Sequence, residues 1–342
     1  MGLPSFILRR VISAIAVLVG VTVITFFLLH LVAADPITVW LGKNGANNPS
    51  LVAIYTKVYH LDSPFYVQYY YYVVGLLHGY LGFSTYMNMP VYNAIAETLP
   101  LTIQIVTLSM IFTFILGISN GLLSARFAGK APDKTIRGFY VVFYSIPPFF
   151  VPLLLIIIFG YFWPILPTTG AMSSSINAPP TITGIPVFDA LLTGRWAAFE
   201  DILTHMILPA LANALVAYGI VTRVLRSSMI DNLSSNFIRA AKARGIKERK
   251  LFYKHAFKSS LIPVITILAL ITAFTFTSDA YVEYLFGYPG IGDFIIEAFY
   301  RFDYAGILGA VIVFAIVVVI ANLVADVLYA VVDPRIRYGA AA

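Results

Sequence analysis

Long apolar stretches alternate with short polar and charged ones along this chain. A helix that crosses a bilayer needs about 20 predominantly apolar residues at 1.5 Å of rise each, and six uncharged runs reach that length. The first, 11–34, follows Arg9-Arg10. It is too long for a signal-peptide core and lacks a small-residue cleavage pattern before Asp35-Pro36, so it reads as a retained helix. The second lies in 99–125 and the third runs over 139–162. The fourth occupies 202–222, with His205 and Pro209 inside it, and the fifth 259–278. The sixth runs from Tyr304 to Val332 across Asp326. Residues 63–96 also lack charge, but Pro64, Gly75, Gly79, Gly82 and Pro90 interrupt them. Tyr69 to Tyr72 favour the headgroup level, so this stretch predicts an interfacial or externally folded segment. Residues 163–198, rich in Pro, Ser, Thr and Gly, read as a loop.

Composition removes the soluble alternatives. Hydrophobic residues make up 60% of the 342 and charged residues 11%, against about 45–50% and 25% in soluble domains. The expected fold class is an all-α polytopic membrane protein with six transmembrane helices. The absence of cysteine excludes disulfides, zinc–thiolate sites, iron–sulfur clusters and a cysteine nucleophile. The net charge of +6 takes its meaning from its distribution. With both termini inside, 18 of the 22 Lys and Arg fall on the inner side and only Lys43, Lys57, Arg195 and Arg301 outside. The basic balance is therefore a topology signal, and nucleic acid is not expected as a partner. The chain reads as one transmembrane domain over 1–342. It comprises a first crossing (9–34), an external loop (35–98), core crossings (99–332) with an inside loop (227–260), and an inner tail (333–342).

One inside loop carries a pattern. Residues 236–244 predict a short helix with Phe237, Ile238 and Ala241 on one face and Arg239, Lys242 and Arg244 elsewhere. Gly245 follows as a terminator that tolerates left-handed backbone angles. A second helical stretch, 247–260, leads into Leu261-Ile262-Pro263. Such a loop is either a solvated basic surface against anionic headgroups or a compact protrusion suited to a groove on a partner.

Ala240-Ala241, Gly245 and Leu261-Ile262-Pro263 resemble the "EAA" loop of ABC importer permease subunits, with Arg239 where the naming glutamate would stand. The likeness is to the dipeptide/oligopeptide branch and extends along nearly the whole chain. Arg9-Arg10 with Thr22, Phe26 and Asp35-Pro36 is similar to the family's first helix and its exit. Leu61-Asp62-Ser63-Pro64, Val67-Gln68-Tyr69 and Gly79-Tyr80-Leu81-Gly82-Phe83-Ser84 are similar to its first external loop. Glu97-Thr98-Leu99-Pro100, Ser145-Ile146-Pro147, Leu166-Pro167 with Gly170, Tyr288-Pro289-Gly290-Ile291-Gly292 and Asp333-Pro334-Arg335-Ile336 continue the match.

The resemblance implies a type I ABC importer permease in the cell membrane, with both termini cytoplasmic and transport by alternating access. It implies a pore shared with a second homologous permease subunit, and two ATPase subunits inside, each holding one coupling helix. Substrate would come from an extracellular or periplasmic solute-binding protein. Arg239, Ala240, Ala241, Arg244 and Gly245 would form the coupling contact. ATP and Mg would be bound by the ATPases, leaving no cofactor and no enzymatic site in this chain; it holds no G-x-x-x-x-G-K-[ST] run. Cargo would be dipeptides or oligopeptides, oligosaccharides, or nickel. A stand-alone channel or secondary transporter would need its own ion-coupling or gate residues in the membrane. An intramembrane enzyme would need paired acids, a Ser/His pair or metal ligands there.

The remaining polar residues each have a structural and a functional reading. His30, His60, His78, His205 and His255 lack metal-ligand spacing, so no metal site is expected. His205, four residues before Pro209, would pack or bond backbone freed by the proline, or meet cargo at the pore mouth. Asp326 reads as the one acid deep in a crossing, where such a group faces protein or water. The family pattern pairs it with Asn322, one turn away, on an inward face. Asp279 and Glu283 would form a hydrated rim at the outer end of the fifth crossing, or touch cargo or binding protein. Pro147-Pro148 and Pro152 would interrupt the third helix, either near a pathway or for packing.

Overall fold

Hydrocarbon offers the backbone no hydrogen bonds, so a chain this apolar satisfies its peptide groups within helices. The computed structural model describes residues 3–32, 37, 41 and 46–332, with the side chains of 3–7, 29, 32, 59 and 325–332 outside that description. The helices are α1 (Leu3–Val32), α2 (Pro49–Tyr59), α3 (Phe65–Leu77), α4 (Val91–Arg126), α5 (Ala131–Ser145), α6 (Phe150–Ile157, continued by a π turn over Ile158–Phe162), α7 (Pro186–Leu192), α8 (Trp196–Ser234), α9 (Asn236–Ala243), α10 (Phe257–Phe286), α11 (Ile291–Tyr300) and α12 (Tyr304–Val332). Among the described residues, strand is limited to a two-residue antiparallel ladder, β1 (Phe83–Ser84) with β2 (Met89–Pro90), Phe83 lying opposite Pro90.

Five helical stretches are long and apolar enough to cross a membrane, and a sixth if α5 and α6 count as one span. Several outrun their apolar stretches, because a helix needs no lipid to continue. α4 has 36 residues and starts at Val91 inside the expected external loop. α8 has 39 and begins at Trp196. α10 runs to Phe286, carrying Asp279 and Glu283 inside the helix. Both acids lie just past the apolar run 259–278, on a helix that continues beyond it. The expected loop over 163–198 contains α7 and the start of α8. The 13-residue α3 is too short to cross. Two of its tyrosines turn inward: Tyr69 Oη lies 2.9 Å from Thr22 Oγ1, and Tyr72 stacks on Phe26. Tyr70 and Tyr71 are exposed.

The third crossing is broken rather than kinked. α5 and the 150–162 segment meet at 106°, because Pro147-Pro148 cannot continue the helical ladder and Ile146 is driven to extended backbone, as a residue before proline usually is. Pro152 lies in the first turn of α6, where a missing N–H costs nothing.

α4 against α8 is the central interface. Gly117 and Gly121, one turn apart on α4, allow the close backbone approach that drives helix association in lipid. A Cβ would lie 2.5 Å from Val221 Cγ1 at the first and 2.9 Å from Leu225 Cβ at the second. α10 packs on α8 and on α12, while α1 packs mainly on α12 and α3 at the periphery. At the far ends of these helices Arg226 donates both Nε and Nη2 to the buried Asp133 carboxylate, at 2.7 and 2.8 Å. Ser124 Oγ and the Gly129 amide complete the set. A buried ion pair is tolerable only with its remaining lone pairs satisfied, and here that requirement ties α4, α5 and α8 together.

Candidate functional site

The inside loop is built from its breaks. Ser235, in extended backbone, ends α8 and begins α9. Ten residues later Gly245 stops α9 in the left-handed region, at φ +79°. The Gly245 amide reaches the Lys242 carbonyl at 2.9 Å and the Ile246 amide the Ala241 carbonyl at 3.3 Å. This is the Schellman arrangement, with apolar Ala241 and Ile246 brought together beneath the turn. The buried stripe is Ile238 and Ala241, continued by Ile246, packed with Leu225, Met229, Leu251 and Val264. Phe237 departs from expectation, being 46% exposed: it stands one residue, about 100° of helix, away from Ile238.

Arg239, Ala240, Ala243, Arg244 and Gly245 are exposed, and Ala241 is half-buried. Among the described residues, none beyond its chain neighbours lies within 4 Å of where a Gly245 Cβ would stand. Arg239 Nη2 donates to Asn236 Oδ1 at 2.8 Å. Lys242 Nζ closes across the turn onto Glu248 Oε1 at 2.8 Å, and that carboxylate raises the Lys242 pKa. Below, Asn232 Nδ2 donates to Ser260 Oγ at 2.8 Å, joining the end of α8 to the start of α10. A cavity of 700 Å³ opens beside α9, bounded by Ala125, Arg126, Leu233, Leu251 and Phe252.

The other predicted residues divide. Asp279 and Glu283 are wholly buried, which corrects the hydrated rim. Glu283 Oε2 accepts the amides of Gly292 at 2.7 Å and Asp293 at 3.1 Å, placing a carboxylate at the positive end of α11. Thr102 Oγ1 donates to Glu283 Oε1 and accepts from the Ile291 amide. Asn213 Nδ2 donates to Asp279 Oδ1, while Asp279 Oδ2 has no hydrogen-bond partner. Gln104 joins the same layer by donating to Tyr288 Oη. His205 is buried, and its Nδ1 lies 2.8 Å from the Asp201 carbonyl; the carbonyl that Pro209 frees is His205's own. Asn322 is exposed, lining a groove between α12 and α1 instead of an inward face. The side chain of Asp326 lies outside the described residues, as do Asp35-Pro36 and Asp333-Pro334-Arg335-Ile336. The structure thus gathers Arg239 to Gly245 at one end of the fold and Asp279 with Glu283 at the other.

Sequence reasoning passed over Thr102, Gln104, Asn213 and Asp133. For the first three the available signal was an isolated polar residue inside an apolar run, which must find a partner; Asp133 sits in a charged loop between Lys130 and Lys134 and carries no such signal. Which partner it finds depends on how the helices pack.

Residues 117–338 match the family described as binding-protein-dependent transport system inner membrane component, and residues 3–106 match the companion N-terminal description. The chain is 32% identical over 335 residues to the dipeptide transport system permease protein DppB of Escherichia coli K12, covering 97% of this chain and 98% of that one. It is 34% identical to the protein of the same name from Alkalihalophilus pseudofirmus, over 98% and 99%. It is 31% identical to the oligopeptide transport system permease protein AppB of Bacillus subtilis, over 98% and 100%. With its family matches spanning both halves and its helices long enough to cross, this chain belongs to the binding-protein-dependent transport permeases, as a multi-pass cell-membrane permease subunit of an ABC importer.

Proposed function

We propose that this subunit forms, with a second homologous permease, the membrane pathway for dipeptides or oligopeptides handed over by a solute-binding protein. α9 is the helix that two-subunit ATP hydrolysis moves. The observation that carries this reading is the α9–Gly245 turn. Its underside is anchored by Ile238, while Ala240 and Ala243 are exposed between Arg239 and Arg244, and Gly245 is exposed just beyond. Small side chains let a partner's backbone approach closely, and the flanking guanidiniums supply charge-assisted hydrogen bonds at its rim. The positive-inside distribution puts this face in the cytoplasm, where the ATPases and their ATP and Mg would be. The names of the similar permeases support peptide cargo.

The turn is well connected to the membrane core. α8 runs unbroken for 39 residues from Trp196 to the turn, and the Asn232–Ser260 bond ties it to α10. A push on α9 therefore moves α8 and α10 as one unit. Both meet again at the Asn213–Asp279 contact, midway along α8 and toward the far end of α10. Alternating access would proceed by rigid-body rocking of such paired helices.

The test is Gly245→Leu in the reconstituted complex, with Lys247→Ala as control. The left-handed backbone makes any Cβ cost about 1–2 kcal/mol, and the added bulk would point at the ATPase. Expected is normal membrane insertion with uptake of labelled dipeptide lowered roughly tenfold or more, the factor that 1.4 kcal/mol produces, while Lys247→Ala stays near wild type. Full coupled uptake in Gly245→Leu overturns the assignment.

A further inference from the structure

Asp279 and Glu283 stand one turn apart on α10, both fully buried, and their hydrogen bonds tell them apart. Glu283 is served as an ionised carboxylate should be. Thr102 donates to one oxygen, the Gly292 and Asp293 amides to the other, and the positive end of α11 adds to them. Asp279 receives one donor, Asn213 Nδ2, on Oδ1 and none on Oδ2. Asn213 belongs to α8 and reaches Ser109 Oγ of α4 at 3.5 Å, so this contact joins α10 to both helices.

No cation balances the pair. Among the described residues, no Lys, Arg or His forms an ion pair with either acid. The ionisable groups around Asp279 are themselves acids: Glu283 and Tyr281 on its own helix, Tyr288 after it, and Asp293 with Glu297 on α11. α4 and α8 contribute neutral Thr102, Ser109 and Asn213. Farther along α8, Tyr218 stacks edge-on against Phe143 and His205 is held on the Asp201 carbonyl. α12, also packed on α10, has no ionisable residue over 305–325. Two adjacent carboxylates without a counter-charge do not both stay ionised when taken out of water. The two carboxyls stand within hydrogen-bonding reach of each other, and a hydrogen bond between two acceptors needs a proton. Glu283 already has its donors; Oδ2 of Asp279 is the open place.

We propose that Asp279 is a proton-binding site: Oδ2 carries one proton, donated to the Glu283 carboxylate, and that proton keeps α10 joined to α8 through Asn213. Asp279 lies just past the apolar run 259–278, at the outer end of α10, so the proton comes from the external side. Its loss sets two negative charges against each other beneath α11 and loosens the α8–α10 contact. This consequence rests on our reading of α8 and α10 as one moving unit. Alkaline pH then breaks the unit and leaves hydrolysis that moves no cargo.

Asp279→Asn is the decisive variant because it copies the protonated acid, keeping an acceptor for Asn213 and a donor toward Glu283. It should fold. In the reconstituted complex it should remove one infrared C=O band of an un-ionised carboxylic acid at about pH 7, where solvated Asp and Glu are ionised. Asn213→Ala, which takes the donor from Oδ1, should move the same band to higher wavenumber. Uptake of labelled dipeptide per ATP hydrolysed should fall in the wild type as pH rises, by up to about tenfold per pH unit, the limit for one proton. In Asp279→Asn it should stay level. Burial, and then Glu297, push the Asp293 carboxyl up to about 6, so Asp293→Asn should keep both the band and the alkaline fall. The proposal is overturned if Asp279→Asn loses no acid band, if it fails to fold, or if its pH profile matches the wild type. A complex that takes up no dipeptide at any pH contradicts the cargo reading instead, and the infrared band still decides the proton site.

Discussion

Two glycine-containing motifs sit at opposite ends of this protein, and their glycines are required for opposite reasons. Gly245 is needed for its backbone angle, with no described residue beyond its chain neighbours within 4 Å of where a Cβ would stand. Gly292 is needed for its missing volume: a Cβ there would lie 2.3 Å from the Ala280 Cα. Gly290 is similar, its Cβ position falling 2.1 Å from Glu283 Oε1. The end around Glu283 is internally complete, with helix α11 capped by a buried carboxylate and two glycines admitting it. The end around Gly245 is finished on its underside and open on its outer face. One motif is read by this chain itself, and the other is presented outward.

The same substitution at the two sites tests that contrast most directly. Gly292→Ala forces backbone against backbone and should cost about 3 kcal/mol or more, the upper range for overpacking. Expected is a large loss of folded material by fluorescence-detected size exclusion, with the melting temperature of any remainder clearly lowered. A normal melting temperature would mean that the Tyr288–Gly292 segment is not packed as described.

Glu283→Ala comes next. It removes the acceptor for two buried amides and for Thr102, at about 1–3 kcal/mol for each group left unsatisfied. Glu283→Gln keeps a carbonyl oxygen for the Gly292 and Asp293 amides and should lose roughly half as much. If thermal unfolding ranks the two substitutions equally, capping of α11 is not what Glu283 contributes.

The smallest effect belongs to Gly245→Ala, about 1 kcal/mol for a non-glycine residue held in the left-handed region. It should barely move the melting temperature of the permease, because no neighbour has to yield. A loss as large as that of Gly292→Ala would show hidden packing at the turn and erase the difference between the two ends.

Much of the architecture was legible because lipid imposes simple rules. Apolar run length located the crossings, and the sixth helix begins at Tyr304 as its run does. Gly245 was recognisable as a terminator from its place after a short amphipathic stretch. Other features were not legible. α4 and α8 extend past their apolar runs, since water ends a hydrophobic stretch without ending a helix. Asp279 and Glu283, four residues apart beside a polar loop, looked like a wet rim. Their burial comes from Asn213 on α8, Thr102 on α4 and the amides after Gly290, partners between 9 and 181 residues away in the chain.

Sequence alone determined that this is a polytopic helical membrane protein, where most of its crossings lie and which short loop ends in a left-handed glycine. Those properties follow from local composition, which transfer into hydrocarbon and backbone sterics read directly. Tertiary structure decided the 106° break of the third crossing, the burial of the acid pair, the exposure of Phe237 and Asn322, and the open groove beside α1. Each depends on which helices lie side by side, and a polar group in a membrane is costly or harmless according to that neighbour.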